Sequence, residues 1–110
     1  MLYLITMESL ETGLLPPQQV AQLLEHQIIP GLEACVKLEA EKKILAGGAF
    51  TGMRAGAAIV EAASNEDLNE LLHSLPFWGV MKVNVTPMQS FENQAAIVRE
   101  NLEHIKAASQ

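Results

Sequence analysis

The chain has 110 residues, 49% hydrophobic and 18% charged, with a formal net charge of -6. That length suffices for one domain with a core of its own, and the apolar content is too high for a disordered chain. The acidic balance, with only seven Lys and Arg scattered along the sequence, argues against nucleic acid and against an anionic membrane surface as partners, because both need a concentrated basic face. No run approaches the roughly eighteen apolar residues of a membrane span. The opening "MLYLITMESLE" has neither the basic start nor the long apolar stretch of a secretion leader. The single Cys35 fits a reducing compartment, so the cytoplasm is the expected location.

"MLYLITME" (1–8) is rich in large apolar and β-branched residues and predicts a strand. "TGLLPP" (12–17) breaks it, and Pro16 and Pro17 suit the first turn of a helix, where a missing N–H costs nothing. From Val20 the apolar residues fall at Leu23, Leu24, Ile28, Gly31, Cys35 and Leu38, which is helical spacing. Pro30 and Gly31 interrupt that run and predict a kink or break near Ile29. "KKILAGGAF" (42–50) reads as a strand loosened by two glycines, "TGMRAG" (51–56) as a turn and "AGAAIVEAA" (55–63) as a strand of small residues. In "SNEDLNELLHSL" (64–75), Ser64 and Asp67 form a capping-box start, and Leu68, Leu71, Leu72 and Leu75 form a buried stripe. Pro76 ends that helix. Met81, Val83 and Val85 then alternate with Lys82, Asn84 and Thr86, the period of a strand with one buried face, which Pro87 stops. "SFENQAAIVRENLEHIKAASQ" closes the chain as a helix capped by Ser90.

The order β-α-β-β-α-β plus a terminal helix predicts an α+β, ferredoxin-like βαββαβ unit over residues 1–110, with a four-stranded antiparallel sheet. Two crossover helices cover one sheet face and leave the other open. An open apolar sheet face points to a partner surface, so the chain is expected to pair with itself as a homodimer or larger closed homo-oligomer, two sheets forming a dimeric α+β barrel.

"SNEDLNELLHSLPFWGVMKVNVTPM" resembles the C-terminal half of muconolactone isomerases, with its short amphipathic helix, Leu-Pro, bulky aromatic corner and final alternating strand. "TGMRAGAAIVEAAS" before it is similar in spacing, and the resemblance covers roughly residues 36–90. It implies a ferredoxin-like chain that assembles through barrel contacts and shifts a double bond in a lactone of aromatic catabolism, without metal or organic cofactor. In that family a His-Tyr pair follows the turn glycine. A gap-free alignment places Met53 and Arg54 there, and neither Met nor the permanently charged Arg serves as a base.

Chemistry of this kind needs a proton carrier and a donor for the developing oxyanion. His26, His73 and His104 all fall off the apolar stripes of their helices, and no His-Cys-acid spacing suggests a metal site. Cys35 falls on a buried stripe, where a thiol packs as a small hydrophobe. Arg54 sits in a glycine-flanked turn; it is either a bidentate clamp for a substrate carboxylate or a solvated hairpin charge. Tyr3, the only phenol, and Glu8 are the candidates for handling the proton. Phe77 and Trp78 either plug the end of the core or line a pocket mouth or interface. Lys82 and Asn84 face either a pocket or the subunit contact. Two functions follow: a cofactor-independent isomerase on a small lactone or carbonyl compound, or a non-catalytic member that binds a small ligand or serves structurally. A cofactor-free monooxygenase is a third possibility, by fold analogy alone.

Overall fold

The computed structural model describes residues 1–10 and 15–109. Strand β1 (Leu2–Ser9) is followed by helix α1 (Pro17–Leu23), a π-helical turn (Leu24–Ile28), helix α2 (Ile29–Ala40) and strands β2 (Ile44–Ala49) and β3 (Ala55–Glu61). Helix α3 (Asn65–His73), a 3₁₀ turn (Trp78–Val80), strand β4 (Met81–Met88) and helix α4 (Phe91–Ala108) complete the chain. The expected break over 12–17 lies partly outside the described residues. The sheet order is β2-β3-β1-β4, antiparallel throughout. That is the ferredoxin-like order.

Alternation along β1 divides the sheet into two faces. Tyr3 and Ile5 are buried, and their register partners on β3 are Val60 and Ala58. With Ile44, Leu68, Leu72, Leu75 and Phe77 they make the core. Leu2, Leu4, Thr6 and Glu8 face the other way, in register with Met88, Thr86, Asn84 and Lys82 on β4. Among the described residues nothing covers this second face. Leu4, Ala46, Ala57 and Ile59 line a shallow apolar depression of about 240 Å³ on it.

Helix starts follow the residues that satisfy them. The Ser64 Oγ accepts a hydrogen bond from the Asp67 amide at 3.1 Å, and the Ser90 Oγ accepts one from Asn93 at 3.1 Å. The expected break near Ile29 takes a different form. The helix runs on through Pro30, and a single π turn at Leu24–Ile28 absorbs the irregularity just before it. Proline lacks the amide and crowds the carbonyl four residues back, and a wider turn relieves both. That extra residue also carries two apolar stripes across the turn together. Ile28, Gly31, Cys35 and Leu38 face inward, whereas Val20, Leu24, Ile29, Leu32 and Val36 form an exposed outer stripe.

β4 continues one residue past Pro87, to Met88. As an edge strand it tolerates a residue that cannot donate to the ladder. The molecule measures 71 × 31 × 24 Å with a radius of gyration of 19.1 Å, against roughly 13 Å for a compact domain of this length. In keeping with that shape, no residue of α1 or α4 is buried. No helix among the described residues is long and apolar enough to cross a membrane.

Candidate active site

The end of the open sheet face nearest the β2–β3 turn is polar. Thr6 and Glu8 share this face because they are two residues apart on β1, and the β4 register sets Asn84 beside Thr6 and Lys82 beside Glu8. Ala55 and Ala57 stand opposite Glu8 and Thr6 on the β3 side, and their small side chains leave room above the sheet. The result is a depression of about 90 Å³ lined by Thr6, Met7, Glu8, Phe50, Met53, Ala55 and Asn84.

The turn that rims it is held by backbone bonds. The Phe50 amide donates to the Ala55 carbonyl at 2.8 Å, and the Ser9 amide donates to the Arg54 carbonyl at 2.9 Å. Gly52 sits at φ +80°, a left-handed conformation that glycine adopts without strain. The second of these bonds fixes Arg54 next to the end of β1, one residue beyond Glu8, with its side chain exposed. Among the described residues neither Glu8 nor Arg54 has an ion-pair partner. A carboxylate, an ammonium and an amide, those of Glu8, Lys82 and Asn84, thus share one end of one sheet face, with the exposed Arg54 anchored by its backbone at the same end of the sheet. Such a set can bind an anion, accept a proton from carbon and donate hydrogen bonds to an oxyanion. No cluster of three His, Cys, Asp or Glu side chains forms among the described residues.

Tyr3 is elsewhere. Five residues separate it from Glu8, so the two point to opposite faces of β1. Tyr3 is 1% exposed among the core residues, and its hydroxyl donates to the Asn65 Oδ1 at 2.6 Å, tying β1 to the first turn of α3. Phe77 is also inside, against Gly31 of α2. Trp78 is half-buried, its ring 4.2 Å from that of His73 and tilted by 37°. Both aromatics belong to the helix-covered side of the sheet, with Tyr3 and on the face opposite Glu8. Cys35 is half-buried, and burial, with Glu39 nearby, raises its thiol pKa above the ordinary value.

Phe50 and Thr6 line the depression without having stood out in the sequence, and Met53, which the resemblance sets at one of the family's His-Tyr positions, lines it with them. Thr6 was legible from the period-two pattern that pairs it with Glu8. Phe50 and Met53 needed the turn geometry, which spacing does not give.

An open four-stranded antiparallel sheet in the order β2-β3-β1-β4, covered on one face by two crossover helices, defines a ferredoxin-like α+β protein. The model of the muconolactone delta-isomerase family matches residues 1–94, and the chain belongs to that family. A crystal structure of muconolactone isomerase is similar at a TM-score of 0.67 and 21% identity, covering 82% of this chain and 90% of that one. The 5-chloro-2-hydroxyhydroquinone dehydrochlorinase of Burkholderia phenoliruptrix, solved with 2,5-dihydroxybenzoquinone, is similar at 0.60 and 21% identity, covering 84% of this chain and 98% of that one. No curated protein matches the chain.

Proposed function

We propose that this protein is a cofactor-independent isomerase acting on a small lactone or related carbonyl compound of aromatic catabolism, one domain that works in the cytoplasm as a homodimer or larger closed homo-oligomer. The observation that carries this reading is the Glu8 carboxylate on the rim of a depression that also holds Thr6 and Asn84, beside Arg54, in a member of the muconolactone delta-isomerase family. Arg54 anchors the substrate's carboxylate through paired charge-assisted hydrogen bonds. Glu8 takes the proton from a carbon made acidic by the conjugated carbonyl, and the electron pair moves toward that oxygen. The Asn84 amide and the Lys82 ammonium stabilise the resulting enolate, and the protonated Glu8 returns the proton at another carbon of the same π system. Substrate and product differ only in where one hydrogen and one double bond lie, so no oxidant or reductant enters.

Of the two proton handlers expected from the sequence, the geometry supports Glu8, since the Tyr3 hydroxyl is engaged by Asn65 across the sheet. Phe77 and Trp78 act in this reading by shaping the core. A second copy laid over the open face, with Leu4, Ala57 and Ile59 at the contact, would shield the depression from water and strengthen each of these interactions.

Conversion of muconolactone, followed by ultraviolet absorbance, tests the reading. Arg54→Ala is expected to raise KM by about 10- to 100-fold, the worth of a lost charge-assisted bond. Unchanged kinetics in that variant would remove Arg54 from the site. One observation favours a second reading, a binder without turnover: the rim position at Met53 is occupied by a side chain that cannot carry a proton. A small molecule co-purifying with protein that converts nothing would establish it.

A further inference from the structure

Helix α4 stands apart from the rest of the molecule in two respects. The family match ends at residue 94, four residues into the helix, so α4 is an addition that the family pattern does not account for. It is also an 18-residue helix with no buried residue, whereas helices in proteins draw most of their stability from packing an amphipathic face. Among the described residues nothing covers its apolar side, which leaves that side open to a further surface.

Its sequence says what kind of surface that is. Phe91, Ala95, Val98, Leu102 and Ile105 are spaced by four, three, four and three residues. That alternation is a heptad seam, narrower than the stripe of a helix lying on a globular core. Phe91 is 94% exposed, Val98 53%, Leu102 49% and Ile105 63%. In this register Ala95 and Leu102 take the a positions, and Phe91, Val98 and Ile105 the d positions. The flanking e positions are Glu92, Arg99 and Lys106, and the g positions are Gln94, Asn101 and Ala108.

We propose that α4 pairs with α4 of a second copy of this chain, antiparallel, about a two-fold axis near Asn101. Two features select the antiparallel arrangement. A parallel pair would bring g against e, setting Gln94 beside Arg99 and Asn101 beside Lys106, with no opposite charges. The antiparallel pair brings e against e and forms Glu92–Lys106 twice, once on each side of the axis. Packing agrees. A parallel pair stacks Ala95 on Ala95 and leaves a hollow. The antiparallel pair sets Ala95 against Ile105 and Val98 against Leu102, small against large. The symmetric approach of Arg99 to its copy at the axis opposes this, and Glu103 one turn along each helix offsets it. A seam of five layers is short, and any second contact between the same two copies strengthens it through effective concentration.

Site-directed crosslinking tests the arrangement on the full chain. In a Cys35→Ser background, Asn101→Cys lies at the axis and is expected to form an intermolecular disulfide under mild oxidation. Ala95→Cys lies about ten residues along the axis from its counterpart, roughly 15 Å at the helical rise, and is expected to form none. Leu102→Glu is expected to abolish the Asn101→Cys crosslink without lowering the melting temperature of the sheet body, because α4 does not pack on it. Lys106→Glu should slow crosslinking severalfold, and Glu92→Lys with Lys106→Glu should restore it. A crosslink through Ala95→Cys, or none through either position, overturns the proposal.

Discussion

Gly31 on α2 and Phe77 at the end of the α3 segment touch so closely that a Cβ on Gly31 would lie 2.7 Å from the Phe77 Cγ. Ordinary side chains do not approach within 3 Å, so the aromatic corner is seated where the helix has no side chain. Alanine normally favours a helix over glycine by about 1 kcal/mol; here the clash outweighs that gain. Gly31→Ala is expected to destabilise the fold by about 1–3 kcal/mol in urea denaturation, the cost of overpacking. Phe77→Leu in the same chain should recover part of the loss. Equal stability of Gly31→Ala and wild type would contradict the packing described.

Tyr3→Phe removes the hydroxyl that donates to Asn65 and leaves the ring in the core. The expected loss is about 0.5–1.5 kcal/mol of stability, the net worth of one hydrogen bond, with kcat unchanged. A large fall in kcat without a change in stability would return Tyr3 to the mechanism.

Ser64→Ala deletes the cap on the Asp67 amide. Thermal denaturation should show a loss of about 1 kcal/mol. Because α3 supplies Leu68 and Leu72 to the core, the whole fold should feel it in a single transition.

Cys35 gives a pH dependence with a definite sign. Burial holds its thiol pKa above the ordinary value, so above about pH 9 the folded chain keeps a proton that the unfolded chain releases. The contribution to stability is complete below the unfolded thiol's pKa and is lost as pH rises through the folded one. Stability measured between pH 8 and 10 should therefore fall more steeply for wild type than for Cys35→Ala. Parallel slopes would contradict the raised thiol.

Much of this architecture was legible in the sequence because each element carries its own local signal. Met81 and Val83 alternate onto the core as a half-buried strand must, although Val85, expected on the same buried face, is exposed beyond the reach of the helices. Ser64 and Ser90 announce their helices, and the element order selects the sheet topology. The π turn was not legible. Pro30 signals a disturbance, but whether the helix breaks or widens depends on keeping Ile28 and Gly31 on the core while Val20 and Ile29 stay on one outer face. The candidate site was half legible. Glu8 and Arg54 were singled out as residue types, and the β1–Arg54 backbone bond that makes them neighbours is a tertiary fact. Tyr3 looked equivalent to Glu8 as a proton handler, although their odd spacing on one strand already assigns them to opposite faces.

In the proposed reaction a carboxylate on the open sheet face, Glu8, moves the proton. The measurement that tests it most directly is kcat/KM for muconolactone in wild type and Glu8→Gln, at matched melting temperature. Loss of a proton carrier predicts a fall on the order of 10²- to 10⁴-fold in Glu8→Gln, with the fold intact because Glu8 is exposed and unpaired among the described residues. Wild-type turnover that survives the substitution would contradict the account.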